Sequence, residues 1–159
     1  MIFVTLGTQD KKFTRLLLEI DKLIDNKVIN EEVIVQAGYS SDYKSNNIQI
    51  FDLINKDEFD NIIKKADLLI THGGVGAILT GLKYQKKIIA IPRLKKYKEH
   101  VNDHQIQIVE NFNEEGYIIG LEDVSKLEEA LDKIKDFKPR KYQSNKKKML
   151  KLMKELIEK

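Results

Sequence analysis

Apolar residues follow two rhythms along this chain. Short unbroken runs, rich in β-branched residues, alternate with stretches in which apolar positions recur every three or four residues. Residues 2–6 predict a first strand. Phe13, Leu16, Leu17, Ile20, Leu23 and Ile24 then share one face of a helix. Residues 32–37 predict a second strand, ended by Gly38, and residues 48–51 a shorter third. Asp57 is the expected cap of a helix carrying Phe59, Ile62 and Ile63. Residues 68–71 predict a fourth strand, 76–84 a helix, and 87–91 a fifth strand stopped by Pro92. A helix is expected over about 102–111, with Ile106, Val109 and Phe112 on one side. Residues 117–119 predict a sixth strand and 124–134 a helix. The segment 142–159 predicts a final amphipathic helix, with a stripe of Met149, Leu150, Leu152, Met153, Leu156 and Ile157 and lysines over the rest.

Strands that alternate with helices predict a parallel sheet covered on both faces. Strand runs with little polar alternation are what burial on both faces requires. The expected fold is therefore α/β: a single Rossmann-like, doubly wound parallel sheet with a C-terminal amphipathic helix, residues 1–159 forming one domain. No linker rich in Pro, Gly or Ser and no internal repeat divides the chain. Ligands of such sheets bind beyond the carboxyl ends of the strands. Three polar or glycine-rich loops fall on that edge: 7–9, 72–74, and the segment from Pro92 and Arg93 onward.

Composition narrows the picture. A chain of 159 residues, 42% of them hydrophobic, is long and apolar enough for one core and is not a disordered chain. With 28 basic and 25 acidic residues, the net charge of +3 is too balanced to argue for nucleic acid as a partner. The tyrosines form no periodic stacking platform either. The absence of cysteine excludes disulfides and cysteine-rich zinc sites and points to a reducing cytoplasm. The apolar run 2–6 is too short for a signal-peptide core or a membrane span, so a soluble protein without a cleaved leader is expected. Two local basic spots remain, Lys95, Lys96 and Lys98, and Arg140, Lys141 and Lys146–Lys148. Each reads as solvated surface or as attraction to an acidic membrane face or a pyrophosphate.

The candidate chemistry centres on His72-Gly73-Gly74-Val75-Gly76, at the end of a strand and the start of a helix. Backbone N–H groups and the helix dipole favour an anion there. Without Cβ atoms, Gly73 and Gly74 would let a ligand approach the backbone, and Gly76 would allow tight packing or a further close contact. His72 could donate to a phosphate oxygen or to the turn itself. Gly7 and Thr8 border the same edge, Thr8 offering a hydroxyl near the next helix. A second polar cluster, Lys98-Glu99-His100-Val101-Asn102-Asp103-His104-Gln105, suits the hydroxyls of a sugar, with Asn102 or Asp103 as an N-terminal cap. His100 and His104 are spaced to share a helix face, but no third ligand accompanies them, and no metal is expected. No nucleophile elbow is present.

Residues 3–9 (Phe-Val-Thr-Leu-Gly-Thr-Gln), 71–76 (Thr-His-Gly-Gly-Val-Gly), Pro92-Arg93 and 99–105 (Glu-His-Val-Asn-Asp-His-Gln) stand in the order seen in a known family. The chain resembles the C-terminal, donor-binding half of GT-B glycosyltransferases of family 28. Within it, the chain is similar to the stand-alone bacterial form used in capsule and exopolysaccharide synthesis. It is also similar to the small soluble subunit of the eukaryotic enzyme that adds the second N-acetylglucosamine to a dolichol-linked sugar. The resemblance implies a UDP-sugar-binding subunit, with no cofactor beyond the donor substrate. Its partner would be a membrane-anchored subunit that binds a lipid-linked saccharide acceptor, holding this chain at the inner face of the membrane. By motif, His72, Gly73, Gly74 and Gly76 would line the pyrophosphate, with Gly7 and Thr8 beside it. Glu99, His100, Asp103, His104 and Gln105 would lie near the donor sugar and phosphates, with Arg93 adding charge. The implied reaction is direct displacement at the anomeric carbon by an acceptor hydroxyl, with UDP leaving. The base would sit on the partner, His100 and Glu99 being the candidates within this chain. Many relatives carry a ribose-binding glutamate where this chain has Thr80, which leaves the ribose contact open. The alternative reading is a non-catalytic enhancer or scaffold of a partner transferase. The donor sugar, acceptor, linkage and oligomeric state are not written in the sequence.

Overall fold

The computed structural model describes residues 1–142. The predicted helix 142–159 lies outside them apart from Tyr142. Six strands form the sheet: β1 (Ile2–Thr5), β2 (Val33–Gln36), β3 (Gln49–Phe51), β4 (Leu68–His72), β5 (Lys87–Ile91) and β6 (Ile119–Gly120). The helices between and after them are α1 (Thr14–Asp25), α2 (Lys56–Lys65), α3 (Val75–Lys83), α4 (His104–Glu114) and α5 (Leu127–Lys133). The strand order is β3-β2-β1-β4-β5-β6, every pairing is parallel, and the expected Rossmann-like α/β fold is what forms.

Alternation along the strands divides the core in two. Ile2, Val4, Leu6, Leu68, Ile70, Ile89 and Ile91 face α1 and α5, where Leu16, Leu17, Ile20, Leu23, Leu127 and Ile134 pack against them. Phe3, Leu69, Ile88 and Ala90 face the other way, onto Ile63, Ile78, Leu82, Val109 and Phe112 of α2, α3 and α4. Burying apolar side chains on both faces fixes the strand register, because a one-residue slip would exchange the two sets. The order reverses between β1 and β4, whose successor helices leave to opposite faces. In sheets of this kind the loops after two such strands diverge, and ligands bind between them at the carboxyl edge.

Most boundaries move by a residue or so, and the helix expected from 124 begins at Leu127; three shifts have identifiable causes. The cap of α2 is Asn55, whose Oδ1 accepts from Glu58 N at 2.8 Å; Asp57 lies inside the first turn. The helix expected from 102 starts at His104. Asn102 Oδ1 accepts from His104 N at 3.0 Å, while Asp103 Oδ1 accepts from Lys95 N at 2.9 Å. The last strand starts at Ile119, because Tyr117 N closes the end of α4 on Phe112 O at 3.1 Å, with Gly116 in the left-handed region (φ 79°).

Candidate functional site

The end of β4 and the start of α3 build the glycine turn. His72 is the last residue of the strand and Gly74 is the residue preceding the helix. No side chain caps α3 and its first turn holds no acid, so the N–H groups of that turn have no partner within the helix. Thr80 donates its hydroxyl to Gly76 O at 2.9 Å.

The glycines have a different physical cause from the one expected at two positions. A Cβ on Gly73 would come within 2.8 Å of Gln105 Cβ and 3.0 Å of a Val109 methyl. A Cβ on Gly74 would run into the His72 ring, 2.5 Å from Nε2, and one on Gly7 would strike the same nitrogen at 2.5 Å. The imidazole is therefore wedged between Gly7 and Gly74, and the chain's own packing requires these three glycines. Gly7 also holds φ 82°, a conformation glycine adopts at least cost. Gly76 is the exception. No heavy atom lies within 4 Å of where its Cβ would be, so it packs tightly against nothing and faces open space.

His72 is buried, and burial followed by the nearby Arg93 charge pushes its pKa down to about 3. The imidazole is neutral at physiological pH. Its tautomer follows from Gln105. The Gln105 Oε1 accepts from Gly73 N at 3.1 Å and from Arg93 N at 2.9 Å, which leaves Nε2 as the donor to His72 Nδ1 at 3.1 Å. The His72 proton thus sits on Nε2, between Gly7 and Gly74. Gln105 is itself buried, with both its amide oxygen and its amide nitrogen engaged, so it braces the β4 and β5 loops.

Arg93, expected to add charge for the phosphates, is only 1% exposed. Its Nε donates to Leu6 O at 3.1 Å, its Nη1 to Lys11 O at 2.8 Å and Glu99 O at 3.0 Å, and its Nη2 to Leu6 O. Burial lowers its pKa to about 10, which leaves it charged at neutral pH. It clamps the loop after β1 to the loop after β5 and acts on the site through its field. Glu99 is likewise internal. Its carboxylate receives Arg15 Nε and Nη2, each at 3.0 Å, and Leu94 N at 3.0 Å. Both oxygens are engaged and buried, so the carboxylate is not presented to a ligand. His100 is half-buried, and its Nδ1 accepts from Asn102 N at 3.3 Å. Burial, then Arg93 and His104, lower its pKa. The neutral ring therefore carries its proton on Nε2 and offers a donor.

The remaining candidates are more peripheral. Thr8 is exposed in the loop well ahead of Thr14, where α1 begins. His104 opens α4, partly exposed. Asp103 lines a neighbouring cavity of about 420 Å³ bordered by Pro92, Leu94, Ile106, Leu121 and Glu122. No group of three or more potential metal ligands occurs among the described residues. Sequence reasoning missed Arg15. Its signal was a cation in the first turn of a helix, where the dipole disfavours it and an acidic partner is required.

The family model described as glycosyltransferase family 28 C-terminal domain matches residues 1–159. No curated protein sequence matches the chain. Among solved structures, the calicheamicin glycosyltransferase CalG4 superposes with a TM-score of 0.61 at 16% identity, over 84% of this chain and 33% of that one. ALG13 superposes with a TM-score of 0.57 at 20% identity, over 95% of this chain and 93% of its own. The UDP-GlcNAc 2-epimerase of Methanocaldococcus jannaschii gives 0.62 at 14% identity, over 96% and 44%. These likenesses are of fold. The chain spans about a third of the length of CalG4 and of the other glycosyltransferases of this kind that it resembles, and nearly all of ALG13.

Proposed function

The chain belongs to the family of glycosyltransferase family 28 C-terminal domains, and from that premise we propose that it is the UDP-sugar-binding subunit of a two-component glycosyltransferase. It would add a hexose to a lipid-linked acceptor in capsular or exopolysaccharide synthesis. The observation that carries this reading is the uncapped, acid-free N-terminus of α3, set beside a neutral His72 with its proton on Nε2. Four donors of that kind — the free amides of the first turn and one imidazole N–H — suit the pyrophosphate of a nucleotide sugar, whose charge grows as the anomeric bond breaks. The buried Arg93 adds a fixed positive charge without needing to touch the ligand. Gly73, Gly74, Gly76, Gly7 and Thr8 frame the pyrophosphate in this reading, and His100 and His104 border the sugar.

Catalysis then needs a second protein. With Glu99 bound by Arg15 and His100 a donor, neither candidate base is free to take the acceptor's proton. Four of the exposed large apolar side chains, Tyr39, Leu53, Tyr97 and Val101, lie on loops at the carboxyl edge, where a partner closing the crevice would cover them. We place that partner in the membrane. No helix among the described residues is long and apolar enough to cross one.

Titration of ¹⁵N-labelled chain with UDP and with UDP-glucose, UDP-galactose, UDP-glucuronic acid and UDP-N-acetylglucosamine tests the reading. Amide shifts are expected at 73–77 and at Gly7, saturating in the micromolar to millimolar range. No shift at that turn with any of these ligands, alone or with the membrane companion, would overturn it. A companion that turns over fully by itself would favour the enhancer reading instead.

A further inference from the structure

The segment between Leu94 and His104 carries His100 and His104, yet it has almost no core of its own. Lys95, Lys96, Tyr97, Lys98, Val101 and Asp103 are exposed, and Glu99 is the one buried side chain among 95–103. Lys98 holds a left-handed backbone (φ 58°). The backbone folds around Glu99: Glu99 N donates to Leu94 O at 3.1 Å, Leu94 N returns to Glu99 Oε1, and Lys98 N donates to Lys95 O at 2.9 Å. The one buried side chain of the excursion is this carboxylate; its other ties are Arg93 Nη1 to Glu99 O and Lys95 N to Asp103 Oδ1.

Arg15 is the cation that makes this carboxylate tolerable. It arrives from the first turn of α1, 84 residues away in sequence, and meets both oxygens in a fork. Its guanidinium also lies 4.4 Å from the centre of the Tyr97 ring. Its Nη1 is buried without a hydrogen bond, 3.6 Å from Asp123 Oδ2 beyond β6. One side chain thus touches loops following β5 and β6 from a helix that follows β1. Loss of Arg15 would leave the buried Glu99 carboxylate with only Leu94 N on it and the charge of Arg93 nearby, and the segment would have to open to solvate it. The apolar clusters on either face of the sheet do not include this segment, so the rest of the fold would persist.

We propose that Arg15 is a positioning residue of the donor site: its pair with Glu99 seats residues 95–103, and with them His100 and His104, beside the glycine turn. The proposal rests on the UDP-sugar reading above. It is tested on the full chain with UDP as the probe, by hydrogen exchange, thermal melting and titration. In R15A, amide exchange at Leu94, Lys95 and Glu99 should rise while that of 69–71 stays at the wild-type level, and the Kd for UDP should rise about tenfold or more. R15K keeps the charge but not the fork, so it should fall between R15A and wild type. R15A/E99A removes the buried carboxylate that has lost its fork. It should recover the melting temperature lost in R15A but not the affinity. Wild-type exchange or wild-type UDP affinity in R15A overturns the proposal. So does recovery of affinity together with melting temperature in the double variant, which would mark a merely structural pair. A wild-type chain that fails to bind UDP defeats the nucleotide reading, and the exchange of Leu94 and Glu99 then decides the seating by itself.

Discussion

Helices α2 and α3 both begin at the carboxyl edge of the sheet, and their first turns are built in opposite ways. At α2, Asn55 accepts from Glu58 N, its amide reaches back to the Glu58 carboxylate at 3.4 Å, and Asp57 and Glu58 put two acids in the first turn. Cap and charge satisfy the helix from within. At α3, glycine replaces the cap, no acid is present, and Gly76 faces open space. The α1 helix, which follows the strand beside β4, also lacks a side-chain cap and an acid in its first turn, and carries Arg15 there instead. The chain therefore has the means to close a helix N-terminus and withholds them at α3, beside the point where strand order reverses, while at α1 Glu99 balances Arg15 and Ser40 Oγ accepts from Phe13 N. The potential of the α3 turn is left uncompensated, and that is what an anionic ligand would use.

The largest expected effect comes from filling the space that the α3 turn depends on. Gly7→Ala puts a methyl against the His72 ring at a positive φ. It should cost about 3 kcal/mol in urea denaturation and abolish UDP binding, because the imidazole must move. Acid should act next. His72 has a folded pKa near 3, below its unfolded value, so the unfolded chain binds the extra proton between about pH 6.5 and pH 3. This contribution to stability is present at neutral pH and is lost as the pH falls, by about 1.4 kcal/mol per pH unit across that window. Chemical denaturation between neutral pH and about pH 5 should show this slope in the wild type and a shallower one in His72→Gln, while the imidazole resonances of His72 stay constant from pH 5 to 8.

A gain of stability would sharpen the comparison further. Gly76→Asp gives α3 the acid that α2 already has, at a position with room for it. Melting should rise by the equivalent of roughly 0.5–1 kcal/mol from propensity and dipole together, while UDP affinity falls by about tenfold or more as the charge repels the diphosphate. A variant that is both more stable and still binding would break the argument. The smallest effect is the converse. Asn55→Ala removes the cap of α2 and should cost about 1 kcal/mol without changing the Kd for UDP.

Much of this was open to a reading of the chain. The two apolar rhythms identify six strands and the helices between them, and the glycine cluster after residue 71 marks a strand end and a helix start. Local pattern suffices there, because each residue's contribution depends on neighbours a few positions away. The boundaries that shifted did so through contacts pattern does not encode. Asn55 outcompetes Asp57 by sitting where the chain enters the helix extended, and Asp103 leaves its own helix to bind Lys95 N. Nor does the sequence reveal why Gly73 and Gly74 must be glycine. Their neighbours are His72, Gln105 and Val109, two of them brought in by α4.

By itself, then, the sequence determined a parallel α/β sheet with three polar loops on one edge and an anion-favouring turn among them, since periodicity and glycine spacing are local properties. The tertiary structure decided which of those polar side chains face outward. Arg93 and Leu6 are 87 positions apart, and Arg15 and Glu99 are 84 apart. A buried charge or amide must find its partners wherever the fold puts them. That requirement drew Arg93, Glu99 and Gln105 inward as braces and left the glycine turn itself open to a ligand.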